Sequence, residues 1–126
     1  MLSAGKQLLG LGALLGAVAV GLGAFGAHAL RGRLSVEAIG WWHTAAQYHF
    51  WHSLGVIAAG SALLHFPESG GLRAAGMLLA GGCVLFSGSL YALALSGERW
   101  LGALTPVGGV VLIAGWLTFA WSALRA

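Results

Sequence analysis

Residues 10–30 read GLGALLGAVAVGLGAFGAHAL, an apolar stretch with no Lys, Arg, Asp or Glu. Small side chains recur along it at spacings of three and four, which places them on one face of a helix: Gly12, Gly16, Ala19, Gly23 and Gly26. Each interior glycine costs ~1 kcal/mol relative to alanine in a helix in water, whereas a bilayer enforces helix because the backbone must satisfy its own hydrogen bonds. We therefore predict a transmembrane helix whose glycines form the central packing surface of a bundle.

The chain has too few charged residues to cover a surface that faces water. Of 126 residues, 59% are hydrophobic and 7% are charged, against ~25% charged residues in soluble domains. A span takes ~20 residues, so the length fits one domain with a few spans surrounded by membrane lipids. The net charge of +3 comes from dispersed bases rather than a basic patch, which argues against nucleic-acid binding.

The hydropathy pattern predicts an all-α, polytopic membrane protein. A single domain, 1–126, has four transmembrane helices that form two antiparallel hairpins in a compact glycine-rich bundle. The predicted spans are 5–30, 41–65, 72–95 and 101–124. The second helix is expected to begin before its span, because Ser35 is a favourable N-cap residue and Glu37 suits the first turn.

Polar residues are concentrated at one end of each predicted span. Because the helices alternate in direction, all of them fall in the same half of the membrane, and the other half is nearly pure Ala, Leu, Val and Gly. The set comprises His28, Thr44, Tyr48, His52, Ser87, Ser89, Tyr91 and Thr105. Since intramembrane polar groups are costly, we treat these residues as a candidate ligand-binding site. The alternative is ordinary hydrogen bonding between helices, worth ~0.6 kcal/mol per group.

The histidines do not form a recognisable metal site. His43 points ~180° away from His52 on the same helix, and no Cys-x-x-Cys, His-Glu-x-x-His or carboxylate partner accompanies them. We therefore predict no metal ligands, no cofactor and no catalytic residues. A haem held by His28 and His52 is a weaker alternative, because the two residues differ in depth by ~15 Å at 1.5 Å per residue.

Several of these motifs occur together, in order, over nearly the whole chain. They are GAFGAH at 23–28, Thr44 with Tyr48 and His52, FSGSLY at 86–91 and TPVGG at 105–109. In these motifs and their order the sequence resembles the YgdD family of small bacterial inner-membrane proteins, which has mitochondrial relatives in eukaryotes. The resemblance implies four spans and no assigned activity. His43 and His49 lie outside the shared pattern.

Three functions are compatible with these features. The first is a non-enzymatic structural or accessory component that packs or oligomerises through glycine-rich helix faces, as a homo-oligomer or within a larger membrane complex. The second is a binder or transporter of a small molecule, lipid or quinone through the polar residues. The third, a haem-carrying redox subunit, is the least supported.

The basic residues do not determine the orientation in the membrane. Lys6, Arg73 and Arg125 lie on the side of the termini, and Arg31, Arg33 and Arg99 lie on the opposite side. The amino-terminal charge adds a slight preference for both termini in the cytoplasm, with the protein in the inner (plasma) membrane. The first span is expected to be retained rather than cleaved as a signal peptide, because its apolar stretch is longer than a usual signal core.

Overall fold

The computed structural model describes residues 1–126 and contains four α-helices and no strand. The helices are α1 (Ala4–His28), α2 (Val36–His65), α3 (Gly70–Ser96) and α4 (Leu101–Arg125). Three short connections join them. The all-helical fold predicted from the sequence is thereby confirmed, and α2 begins before residue 41, as the Ser35 cap predicted.

Local sequence signals account for the helix ends. Ser3, Ser35 and Ser69 each accept a hydrogen bond from a main-chain N–H of the first turn that follows. Such caps satisfy donors that have no partner within the helix. Gly97 ends α3 in the left-handed region with φ 72°, a conformation that only glycine adopts at little cost. The Ser35 cap explains why α2 begins at Val36 rather than at the predicted span boundary.

Three of the helices, α1, α3 and α4, are long and apolar enough to cross a membrane. The helix α2 is less apolar because its first half contains Glu37, His43 and Gln47 in addition to the buried histidines. Its 30 residues nevertheless extend ~45 Å at 1.5 Å per residue. The crossing of α2 stays a prediction, which its packing along α1 and α3 supports.

Neighbouring helices run antiparallel, and α2 and α3 form the centre of the molecule. The helix α1 packs mainly on α2, and α4 packs mainly on α3. The least accessible large side chains, Leu63, Leu72 and Leu79, belong to the central pair. The expectation that the first helix is central is therefore corrected: α1 flanks the pair. The side chains of α1 are apolar on every face of the helix. Its hydropathy therefore did not indicate that only a small part of α1 is buried against other helices.

Glycines allow main chains to approach closely where α1 packs on α2 and where α3 packs on α4. A Cβ added at Gly60 would lie 2.9 Å from the main-chain nitrogen of Leu9, and one added at Gly12 would lie 2.9 Å from that of Ile57. Between α3 and α4, a Cβ at Gly108 would lie 2.6 Å from the main-chain nitrogen of Phe86. Such proximity is the usual packing mode of small residues in membrane helices.

The predicted glycine stripe of α1 packs on α2, with one exception. Gly12 and Gly16 face Ser53, and Gly26 faces the Trp42 ring. Gly23 has no neighbouring atom within 4 Å of an added Cβ. It borders a shallow groove between α1 and α2 that is also lined by His43 and Gln47, so no side chain from α2 covers it. The assignment of Gly23 as a packing residue is corrected on this ground.

Candidate functional site

The predicted polar residues occupy the end of the bundle that lies opposite both termini. At the other end, Gly5 faces Leu64 and Gly71 faces Ser122, which brings the start of α1 and the end of α4 to the α2–α3 connection. The polar half contains hydrogen bonds between each pair of helices that pack extensively. The contacts of its polar and aromatic side chains divide into three groups.

The first group connects α2 with α1 and α3 through aromatic side chains. Trp42 donates its indole N–H to the Leu22 carbonyl at 2.8 Å. The ring of Tyr91 packs on Trp42, with centroids 4.6 Å apart. The Tyr91 hydroxyl lies 3.0 Å from Nδ1 of His49. Tyr91 is therefore held between two side chains of α2.

The second group lies on the side of α2 that faces α3 and α4. Tyr48 stacks on Phe86 with centroids 4.4 Å apart and on His52 at 5.7 Å. His52 donates from Nδ1 to the Tyr48 carbonyl at 2.7 Å, and its ring lies 5.8 Å from that of Trp116. Tyr48 and His52 thus contact each other and are separate from the Tyr91–His49 pair.

The third group consists of hydroxyl contacts. Ser87 donates to the Ala45 carbonyl at 2.8 Å, and so links α3 to α2. The hydroxyls of Ser89 and Thr105 lie 2.7 Å apart and link α3 to α4. Every buried side-chain nitrogen and oxygen has a hydrogen-bond partner. This is the pattern expected where polar groups connect helices in an apolar medium.

Two of the predicted residues remain apart from these groups. His28 is exposed at the last residue of α1, and Thr44 is half-buried with no side-chain hydrogen bond. His28 is exposed at the end of α1, whereas His52 is buried beside Trp116 of α4, so they are not placed as a pair of axial ligands. No three His, Cys, Asp or Glu side chains lie together in a geometry that could hold a metal ion.

His49 is the residue that the sequence analysis missed. It is 6% exposed and contacts Tyr91, whereas the sequence comparison with the YgdD pattern set it aside. The signal was its register: Trp42, Ala45 and His49 follow one another at spacings of three and four, and all three are buried. This spacing places His49 on the inward face of α2.

A groove of about 280 Å³ opens between α1 and α3 above these side chains. Its walls are apolar side chains of the two helices, among them Leu14 and Val18 of α1 and Val84 of α3. Its polar lining consists of His49, Cys83, Ser87 and Tyr91. No Lys, Arg, Asp or Glu lines the groove. The arrangement suits an uncharged molecule that carries a hydrogen-bonding group.

The sequence of this fold matches one family of known proteins. Residues 22–109 match the family described as "Protein of unknown function (DUF423)". The matched segment runs from the last part of α1 to the first half of α4 and contains all eight of the predicted polar residues. The chain belongs to this family.

Relatives of the family cover almost the full length of the chain. The UPF0382 membrane protein YwdK of Bacillus subtilis is 42% identical over 120 residues, which are 95% of this chain and 98% of the relative. The UPF0382 membrane protein SERP0230 of Staphylococcus epidermidis is 47% identical, over 95% and 97% of the two chains. The UPF0382 inner membrane protein YgdD of Escherichia coli is 40% identical, over 95% and 91%. No solved structure matches the chain.

These comparisons confirm the predicted family and the membrane character of the protein. The DUF423 family is described as being of unknown function, and the relatives are named only as membrane proteins. They assign no activity to any residue of the polar half. The functional interpretation therefore depends on the geometry described above.

Proposed function

We propose that the protein is a non-enzymatic membrane component that assembles with further copies of itself through the outer face of α1. This face, which we call the outer stripe, is distinct from the glycines that pack on α2. It consists of Gly10, Ala13, Ala17, Gly21 and Ala24, all exposed. The observation that carries the proposal is this second series of small residues, at spacings of three and four, on a flanking helix.

The physical argument concerns what drives association in a bilayer. Lipid chains are as apolar as leucine, so helices associate where small residues permit close main-chain contact. An added Cβ at Gly10 or Gly21 would meet no atom within 4 Å, so both positions are open. If α1 of a second copy packed against this face, the outer stripes of the two copies would bury each other. Such a two-fold contact, in which both subunits use the same surface, is the commonest kind in oligomers.

The use of the polar side chains supports a non-enzymatic role. Ser87, Ser89 and Thr105 bond within the bundle, either to a carbonyl or to each other. Trp42 and His52 each donate to a main-chain carbonyl. The His52 bond stays within α2, and the others are interhelical hydrogen bonds of the kind that stabilises membrane bundles.

We further propose that the protein lies in the inner (plasma) membrane with both termini in the cytoplasm. The relative in Escherichia coli is named an inner membrane protein. Both termini lie at the same end of the bundle because four antiparallel helices return the chain to its starting side. Each end of the bundle holds three bases, and the amino-terminal charge adds one more positive charge to the end with Lys6, Arg73 and Arg125. This small excess favours that end for the cytoplasmic side.

Native mass spectrometry from lipid nanodiscs tests the assembly. The wild-type chain is expected to appear as a discrete oligomer, and Ala17→Leu is expected to shift it to the monomer because a larger side chain keeps the stripes apart. The matched control is Ala120→Leu on the exposed face of α4, which leaves the oligomer unchanged. A wild-type chain that is monomeric over the accessible concentration range would contradict the proposal.

A further inference from the structure

The groove between α1 and α3 contains a polar pair in otherwise apolar surroundings. His49 lies 6% exposed in its floor, and the Tyr91 hydroxyl lies 3.0 Å from Nδ1 of His49. Leu14 and Val84 in its walls are 68% and 62% exposed. The groove therefore opens sideways to the surrounding lipid.

We propose that this groove binds an uncharged lipid whose head is a ring with carbonyl or hydroxyl groups, the chemistry of a quinone or quinol. The proposal concerns a ligand site on the side of α1 that faces α3. It does not depend on assembly through the outer stripe.

The volume of the groove limits the size of the head group that can bind. A cavity of roughly 150 Å³ holds a benzene ring, and the groove measures about 280 Å³. It therefore has room for a substituted six-membered ring but not for a whole phospholipid. An attached apolar tail would continue along Leu11 and Leu14, out of the lateral opening and into the bilayer.

The charge of the groove excludes an anionic headgroup. None of its lining residues is a Lys or Arg, and a phosphate buried there would have no cation to pair with. Arg31 and Arg33 belong to the connection between α1 and α2, and neither they nor Lys6 and Arg99 line the groove. A neutral ring with hydrogen-bonding substituents incurs no such penalty.

The Tyr91–His49 pair matches both redox forms of such a ring. When His49 carries its proton on Nδ1, it donates to the Tyr91 oxygen, and the Tyr91 O–H is free to donate to a quinone carbonyl. When Nδ1 is unprotonated, Tyr91 donates to His49 and its oxygen accepts from a quinol hydroxyl. Each neutral tautomer thus leaves Tyr91 one hydrogen bond for the ligand.

Photolabelling tests the site with the full chain in lipid nanodiscs. The probe is an azido-ubiquinone with a short alkyl tail, and labelled peptides are identified by mass spectrometry. Labelling is expected on the segments around Leu14, Val18 and Val84. Decylubiquinone is expected to compete with the probe, whereas decylbenzene and decanol, which lack the ring carbonyls, are not.

Matched variants distinguish binding at the groove from partition of the quinone into the surrounding lipid. Tyr91→Phe removes only the hydroxyl, and the loss of one hydrogen bond of ~1 kcal/mol lowers the affinity of competing decylubiquinone about fivefold. Ser96→Ala also removes one hydroxyl, but outside the groove and from a bond within α3, and it leaves the affinity unchanged. Val84→Trp fills the lateral opening and abolishes labelling of the groove segments.

Several results would overturn the proposal. Labelling spread evenly over all four helices would show partition without a site. Competition by decylbenzene or decanol as effective as that by decylubiquinone would show an apolar groove with no preference for the ring. If Tyr91→Phe and the wild type bound decylubiquinone with equal affinity, the Tyr91–His49 pair would have no part in recognising the ring. None of these results depends on the oligomeric state, so failure here is distinguishable from failure of assembly through α1.

Discussion

The indole of Trp42 lies directly against Gly26, so that an added Cβ at Gly26 would overlap the ring. The same indole donates its N–H to the Leu22 carbonyl of α1. Trp42 is 3% exposed and packs on Tyr91 from its other side. A single tryptophan of α2 thus joins α1 to α3, and the absence of a side chain at Gly26 is what makes room for it.

The contact predicts that Gly26→Ala destabilises the protein. A methyl group there forces the indole to move and strains its hydrogen bond, and overpacking of this kind costs about 1–3 kcal/mol. Denaturation of the purified protein in detergent, followed by circular dichroism, measures the loss. The control is Gly23→Ala, where an added Cβ meets nothing within 4 Å. Equal stability of both variants would show that the Trp42 contact is not formed.

The difference between Gly23 and Gly26 shows where sequence reasoning reached its limit. Hydropathy predicted four helices, and the capping residue Ser35 predicted the start of α2, because both depend on local composition. The faces of α1 were not predictable in the same way, since all of its sides are apolar and small residues lie on two of them. Which small residues meet α2 depends on the position of bulky neighbours such as Trp42, which lies on a different helix.

The candidate site was predictable to a similar extent. Alternating helix direction correctly placed the polar residues in one half of the bundle. The pairings within that half depend on helix rotation, which is why Tyr91 meets His49 rather than Tyr48 or His52. His49 was set aside because it lies outside the shared motif, although its spacing from Trp42 and Ala45 indicated a buried position.

The contact between Ser89 and Thr105 is expected to couple α3 to α4. A double-mutant cycle with Ser89→Ala and Thr105→Val measures the coupling energy, which we expect at ~0.6 kcal/mol, the average for such bonds in membrane helices. The control cycle pairs Ser96→Ala with Thr105→Val, because Ser96 bonds to the Ala92 carbonyl of its own helix. An equally large coupling energy in the control cycle would indicate a general effect of removing hydroxyl groups rather than a contact between Ser89 and Thr105.

The four-span topology predicts where reporters are active. Green fluorescent protein fused after Ala126 is expected to fluoresce, and alkaline phosphatase fused there is expected to be inactive. Alkaline phosphatase inserted after Arg33, in the connection between α1 and α2, is expected to be active. The same fusion after Glu68, between α2 and α3, is expected to be inactive if α2 crosses the membrane. Active phosphatase at both Arg33 and Glu68 would show that α2 does not cross.

Cysteine crosslinking in intact membranes tests the central claim, assembly through the outer stripe, most directly. The starting chain carries Cys83→Ser, which removes the single native cysteine. With Ala17→Cys added, oxidation is expected to give a covalent dimer, because two α1 helices in contact bring these positions together. With Ala120→Cys added instead, on exposed α4, no dimer is expected. Failure of Ala17→Cys to crosslink, or equal crosslinking at Ala120→Cys, would contradict assembly through α1.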